Sequence, residues 1–156
     1  MTSLPAALEV TDGSILDALR SRRPEFVEGA EACRAAVLFP EEDLGLSRDL
    51  RAALGRRVAA GAGNPELLES YPVPAGPDLQ ALAGGGMPDD PALAALARHA
   101  DMIAATPAKA GREHLQALLD AGYTVAQIVA LSELLAYACY QIRVVHGLNL
   151  LAEDRA

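Results

Sequence analysis

Ser132, Cys139, Arg143 and His146 recur along the apolar C-terminal stretch at intervals that put them within about 60° of one another on a helix. An arginine there can hold an anionic substrate, and one turn from Cys139 it can also favour the thiolate. Cys139 and His146 are two turns apart, roughly 10 Å in rise, so they do not form a thiolate–imidazolium dyad within the helix. The plainer reading is a buried cysteine, an arginine whose stem lies along apolar surface, and a histidine hydrogen-bonded near the helix end. Glu133 shares this helix with Tyr137 and Tyr140. Buried between them it would be a general base with a raised pKa; otherwise it would meet an arginine across a subunit interface.

Other reactive types are scattered. The two cysteines, Cys33 and Cys139, form no CxxC, zinc or disulfide-framework pattern. In a reducing compartment both read as buried small hydrophobes. His99 with Asp101, and His114 with Glu113, lack metal-ligand spacing and read as surface residues, so no metal or cofactor is expected. Gly84-Gly85-Gly86 lacks the strand-before, helix-after context of a phosphate loop and reads as a flexible joint.

The elements that would position these residues are helices, about seven of them by cap and period. Ile15 to Arg22 carries Ile15, Leu16 and Leu19 on one side; Pro24 suits the first turn of a second helix reaching about Leu38. Ser47 caps a third, in which Leu50, Leu54 and Val58 recur, stopping at Gly61-Ala62-Gly63. Asn64-Pro65 opens a short helix that breaks at Pro72. Residues 72–90, with proline at 72, 74, 77 and 88 and glycine at 76, 84, 85 and 86, read as a long mobile loop placed to act as a lid. Asp90-Pro91 caps a helix striped by Leu93, Leu96, Ala100 and Ile103. Thr106-Pro107 caps another that ends at Gly122. A capping box, Thr124 to Gln127, starts the last and clearest helix, striped by Ile128, Leu131, Leu135, Ala138, Ile142 and Val145. Tyr137, Tyr140, Val144 and Leu148 make its opposite side apolar too, which predicts burial on both sides and hence a subunit interface.

At 156 residues the chain is expected to be one domain, and at 51% hydrophobic and 22% charged it resembles an ordinary globular protein. A net charge of −8 and no tryptophan argue against nucleic-acid and anionic-membrane partners. Glu133, Gln141 and Arg143 interrupt the apolar run from Val125 to Leu151, so no membrane span is expected. The first ten residues lack a basic region and a long apolar run, so no signal peptide is read and the expected location is cytoplasmic.

The run from Leu115 to Leu151 resembles the C-terminal helical half of the AhpD-like superfamily, which includes alkylhydroperoxidases, carboxymuconolactone decarboxylases and peroxidase-related proteins. Ala121-Gly122-Tyr123-Thr124 with Ile128-Val129 resembles one of the family's helix starts; Ala136-Tyr137, Arg143 and Gly147-Leu148 resemble the helix that follows. Ser47 to Gly63 is similar to the helix leading into the family's active site, and Ala92 to Pro107, with Arg98, His99 and Asp101, to its middle helix. The resemblance implies an all-α AhpD-like fold over residues 47–152, with residues 1–46 as a helical N-terminal extension, and a homo-oligomer (dimer, trimer or hexamer).

Redox-active members carry a Glu ahead of a CxxC and a His four residues after it, and the thiolate needs both to exchange protons. The matching positions here are Ala52, Asn64, Leu67 and Tyr71, so a two-cysteine peroxidase cycle has no functional groups at this place. Tyr71 would donate to a substrate oxygen where the family keeps its His, with the Asn64 amide nearby; capping and packing explain the same residues. The expectation is therefore a small-molecule enzyme or binder with a degenerate redox site, its pocket near Asn64, Tyr71 and Arg143 and free of cysteine. The alternatives are a non-catalytic oligomeric partner of a cysteine-bearing relative, and residual peroxiredoxin-type activity through one cysteine.

Overall fold

The computed structural model describes residues 20–153. Within them lie seven α-helices: α1 (Pro24–Leu38), α2 (Arg48–Gly61), α3 (Pro65–Glu69), α4 (Pro77–Ala83), α5 (Pro91–Ala105), α6 (Arg112–Asp120) and α7 (Val125–Glu153). The described residues contain no strand. The expected helix at Ile15–Arg22 lies largely outside them.

Sequence caps set most of the boundaries. The Ser47 hydroxyl accepts from the Leu50 N–H at 3.2 Å, the Asn64 side chain from Leu67 N–H at 2.8 Å, and Asp90 from Leu93 N–H at 2.8 Å. Thr124 and Gln127 form the reciprocal box, at 2.8 and 3.2 Å. Gly122 takes φ 97°, the left-handed conformation that closes α6.

α2 is the hub, packing on α1, α3, α4, α5 and α7. Its small residues allow that approach: Ala52, Ala53, Gly55 and Ala59 are all buried. A Cβ on Gly55 would lie 2.5 Å from the Tyr71 ring, so the missing side chain is the notch that Tyr71 fills. α2 also carries buried arginines that bind carbonyls elsewhere in the chain. Arg51 donates to Leu46, Val37 and Asp43 at 2.8–3.0 Å, tying down the turn between α1 and α2. The α1 residues Val37 and Leu38 sit in the same core as α2 and α7.

Residues 72–90 are not a free lid. Pro77 is the first residue of α4, Gly76 before it takes φ 86°, and α4 packs against α2 with Leu82 fully buried. Proline and glycine here mark the start and end of a short helix. A second boundary differs as well: Thr106-Pro107 opens only a 3₁₀ turn, Pro107–Lys109. α6 begins at Arg112, where His114 Nδ1 accepts from the Gly111 N–H at 3.1 Å.

α7 is 29 residues long, roughly 43 Å. By length and composition Val125–Leu151 could cross a membrane, but 56% of its most apolar window is buried inside the protein. Leu131, Leu134, Leu135, Tyr137, Ala138 and Val145 form the inward side. Val125, Val129, Tyr140, Leu150 and Leu151 are exposed, so its apolar outer side is uncovered within one chain.

Candidate functional site

Three of the four positions matched to the redox centre are buried in the core, and Asn64 is half-buried at its edge. Ala52 and Leu67 are fully buried, Asn64 spends its side chain on the α3 cap, and Tyr71 is 3% exposed with its ring on Gly55. The turn carrying Tyr71 is held from outside: Arg56 donates to the Leu68 and Tyr71 carbonyls at 3.1 and 2.8 Å, and Arg34 to the Ser70 carbonyl at 3.0 Å. The Tyr71 hydroxyl is buried without a hydrogen-bond partner. Burial, reinforced by Tyr137, drives its pKa upward, so the phenol stays neutral. Neither Asn64 nor Tyr71 lines the clefts described below.

The C-terminal constellation divides. Cys139 is buried at 9% exposure, and the exposed Arg143 donates Nη1 to the Cys139 carbonyl at 3.0 Å, spending that contact on its own helix. Both line one cleft. Ser132 is exposed and donates to the Ile128 carbonyl at 2.8 Å, and His146 is exposed; neither reaches that cleft. Glu133 is exposed rather than sealed between tyrosines, and it makes no ion pair among the described residues. It lines a separate apolar groove between α1 and α7, together with Phe26, Cys33, Ala136, Tyr137 and Tyr140. Cys33 is exposed, contrary to its expected burial, because its part of α1 forms the open wall of that groove.

The cleft that holds Cys139 has a volume of about 570 Å³, the size of a small-molecule site. Its walls are the last turns of α2 (Ala60, Gly61) and α5 (Ala104, Ala105), Gly84 and Gly85 just past the end of α4, and Cys139, Ile142 and Arg143 from α7. Arg57 and Asp101 form its polar side. Arg57 Nε and Nη2 meet the two Asp101 oxygens at 2.7 Å each, and Nη1 donates to the Leu82 and Gly86 carbonyls at 3.1 and 2.6 Å. Arg57 is 4% exposed while the Asp101 side chain is 53% exposed, so the pair is sealed on one side and open on the other.

Arg57 escaped the sequence reading, since Arg56-Arg57 looks like an exposed basic pair and Asp101 lies 44 residues away in the chain. Asp101 was expected beside His99 at the surface. Instead His99 turns inward, 6% exposed, with Nδ1 unpartnered, and desolvation followed by His114 lowers its pKa. The i, i+2 spacing that suggested a pair places the two side chains on opposite sides of α5. Among the described residues no His, Cys, Asp or Glu group is gathered to hold a metal. Comparison with protein-family models, curated proteins and solved structures finds no match, so the AhpD-like resemblance rests on the residues of this chain alone.

Proposed function

We propose that this chain is a small-molecule binder of the AhpD-like class that works without the two-cysteine centre, using the cleft at the C-terminal ends of α2, α4 and α5. The observation that carries the reading is the convergence of the buried Arg57, the half-exposed Asp101 and Cys139 on a cleft of about 570 Å³. Helix C-termini end in unpaired carbonyls, each equivalent to roughly −0.5 charge. Arg57 is already neutralised by Asp101, and Arg143 is engaged by the Cys139 carbonyl. What remains open is the outer side of the Asp101 carboxylate, 53% exposed, beside an apolar floor. The favoured ligand is a small apolar molecule with a hydrogen-bond-donating or cationic end.

Cys139 is a built-in reporter. In a Cys33→Ser background, a straight-chain primary amine is expected to slow iodoacetamide labelling of Cys139, while the matched carboxylate leaves it unchanged. Protection by the carboxylate instead would return Arg143 to the anion-holding role read from its spacing. Protection by neither removes the cleft from consideration. The second reading, a non-catalytic partner subunit, is favoured by the filled core at Ala52, Leu67 and Tyr71.

A further inference from the structure

The groove between α1 and α7 shares no lining residue with the Arg57–Asp101 cleft and differs from it in chemistry. Its volume is about 660 Å³, and its walls include Phe26, Gly29 and Cys33 from α1 and Glu133, Tyr137 and Tyr140 from α7. The chain has four tyrosines, two phenylalanines and no tryptophan, so half of its aromatic side chains line this one groove. Phe26 and Tyr140 are exposed and Tyr137 is buried. A Cβ added to Gly29 would meet nothing within 4 Å, so no neighbour in the chain requires a glycine there. Glycine inside a helix is destabilising against alanine; what Gly29 provides is open space in the groove.

The charges on the lining are of one sign. Among the described residues it has two carboxylates, Glu25 and Glu133, and no lysine or arginine. At the α1 rim this arrangement already holds a cation: the Arg23 guanidinium pairs with Glu25 and lies 4.5 Å over the Phe26 ring. The α7 wall repeats the combination, a carboxylate at Glu133 with rings one and two turns on at Tyr137 and Tyr140. Among the described residues no arginine or lysine stands over either tyrosine. Arg51 attracts Glu133 from behind Val37, but its nitrogens donate to the Leu46, Val37 and Asp43 carbonyls and it forms no ion pair with Glu133.

Ring faces and carbon dominate the lining, and the Tyr137 hydroxyl is engaged by the Gln141 amide. A cation with N–H groups would give up hydrogen bonds to water that such walls do not replace. A quaternary ammonium has no N–H to satisfy and is held on ring faces by its charge. We propose that the α1–α7 groove is a second ligand site, which takes a quaternary ammonium on an apolar body, its charge beside Glu133 and Tyr140 and its body over Gly29. This ligand is distinct from that of the cleft, where the Asp101 carboxylate accepts from N–H donors.

The test compares benzyltrimethylammonium with its uncharged carbon analogue, neopentylbenzene, using Cys33 as reporter in a Cys139→Ser background. The ammonium compound is expected to slow iodoacetamide labelling of Cys33, and the carbon analogue to bind at least about tenfold more weakly. Glu133→Gln keeps the shape of an exposed side chain and should weaken protection about fivefold. Gly29→Leu fills the open space and should remove the effect of the compound, with far-ultraviolet circular dichroism checking that the helices are intact. Equal protection by the two compounds, protection by neither, or protection that survives either substitution overturns the proposal. Slow labelling without the compound overturns it as well: a rate that falls with protein concentration puts a second copy over the groove, and a rate slow at every concentration puts a segment of the same chain there.

Discussion

A hydroxyl sealed in a core without a partner costs a fold roughly 1–3 kcal/mol, and Tyr71 carries one. Its ring is indispensable to the packing, because it fills the notch over Gly55. Tyr71→Phe keeps the ring and removes the orphaned oxygen, so urea denaturation should show a gain of about 1 kcal/mol. A loss would mean the hydroxyl has a bonded role. His99 gives a second prediction, in pH. Burial lowers its pKa below the ordinary 6.5, so the folded state releases a proton that the unfolded state keeps. The contribution is fully present above about 6.5 and is lost as pH falls through that value toward the folded pKa. Urea midpoints at about pH 7.5 and about pH 5.5, a window in which most carboxylates stay ionised, should fall for wild type more than for His99→Leu. An equal fall in the two proteins sinks the assignment. Tyr71 was open to a packing reading, which its burial matches, whereas His99 was read as a surface residue, because a histidine between Arg98 and Ala100 carries no local sign of its partners. Cys139 and Arg143 were legible as neighbours because one helix turn fixes their spacing. Arg57 and Asp101 meet only through the packing of α2 on α5, which no period in the sequence encodes.

At the level of elements, α4 decides whether residues 72–90 move as a lid or stand as part of the core. Leu82 is fully buried, and Arg57 holds the Leu82 and Gly86 carbonyls from below. Deleting a buried leucine side chain costs about 2–5 kcal/mol where the cavity cannot collapse. Leu82→Ala should therefore lower global stability by about 3 kcal/mol in urea melts. A lid would lose almost nothing, and a change under about 0.5 kcal/mol would reinstate it. The fold class was readable because Ser47, Asn64, Asp90 and Thr124 each cap a helix where their types say they should. α4 was hidden because its Pro77 and its flanking glycines serve equally as helix punctuation and as loop residues. The same ambiguity placed the start of α6 too early, since Thr106-Pro107 imitates the cap-plus-proline signature of Asp90-Pro91 but supports only one 3₁₀ turn.

For the molecule as a whole, α7 is where stability would meet assembly. Its inner side is the spine of the core, while Val125, Val129 and Tyr140 on its outer side are exposed within one chain. A helix apolar on both sides predicts a subunit interface, and association there gives stability a mass-action component that a monomer lacks. On that expectation the melting temperature should rise between about 5 µM and about 500 µM protein. Tyr140→Glu, which places a charge on the exposed side and outside the core, should flatten that rise. Two chains of net charge −8 also repel, so the concentration dependence should be steeper at about 0.15 M salt than at about 0.01 M, where the Debye length grows to about 30 Å. A melting temperature independent of concentration at both salt levels would leave α7 as the core helix of a monomer whose outer face stays open to water.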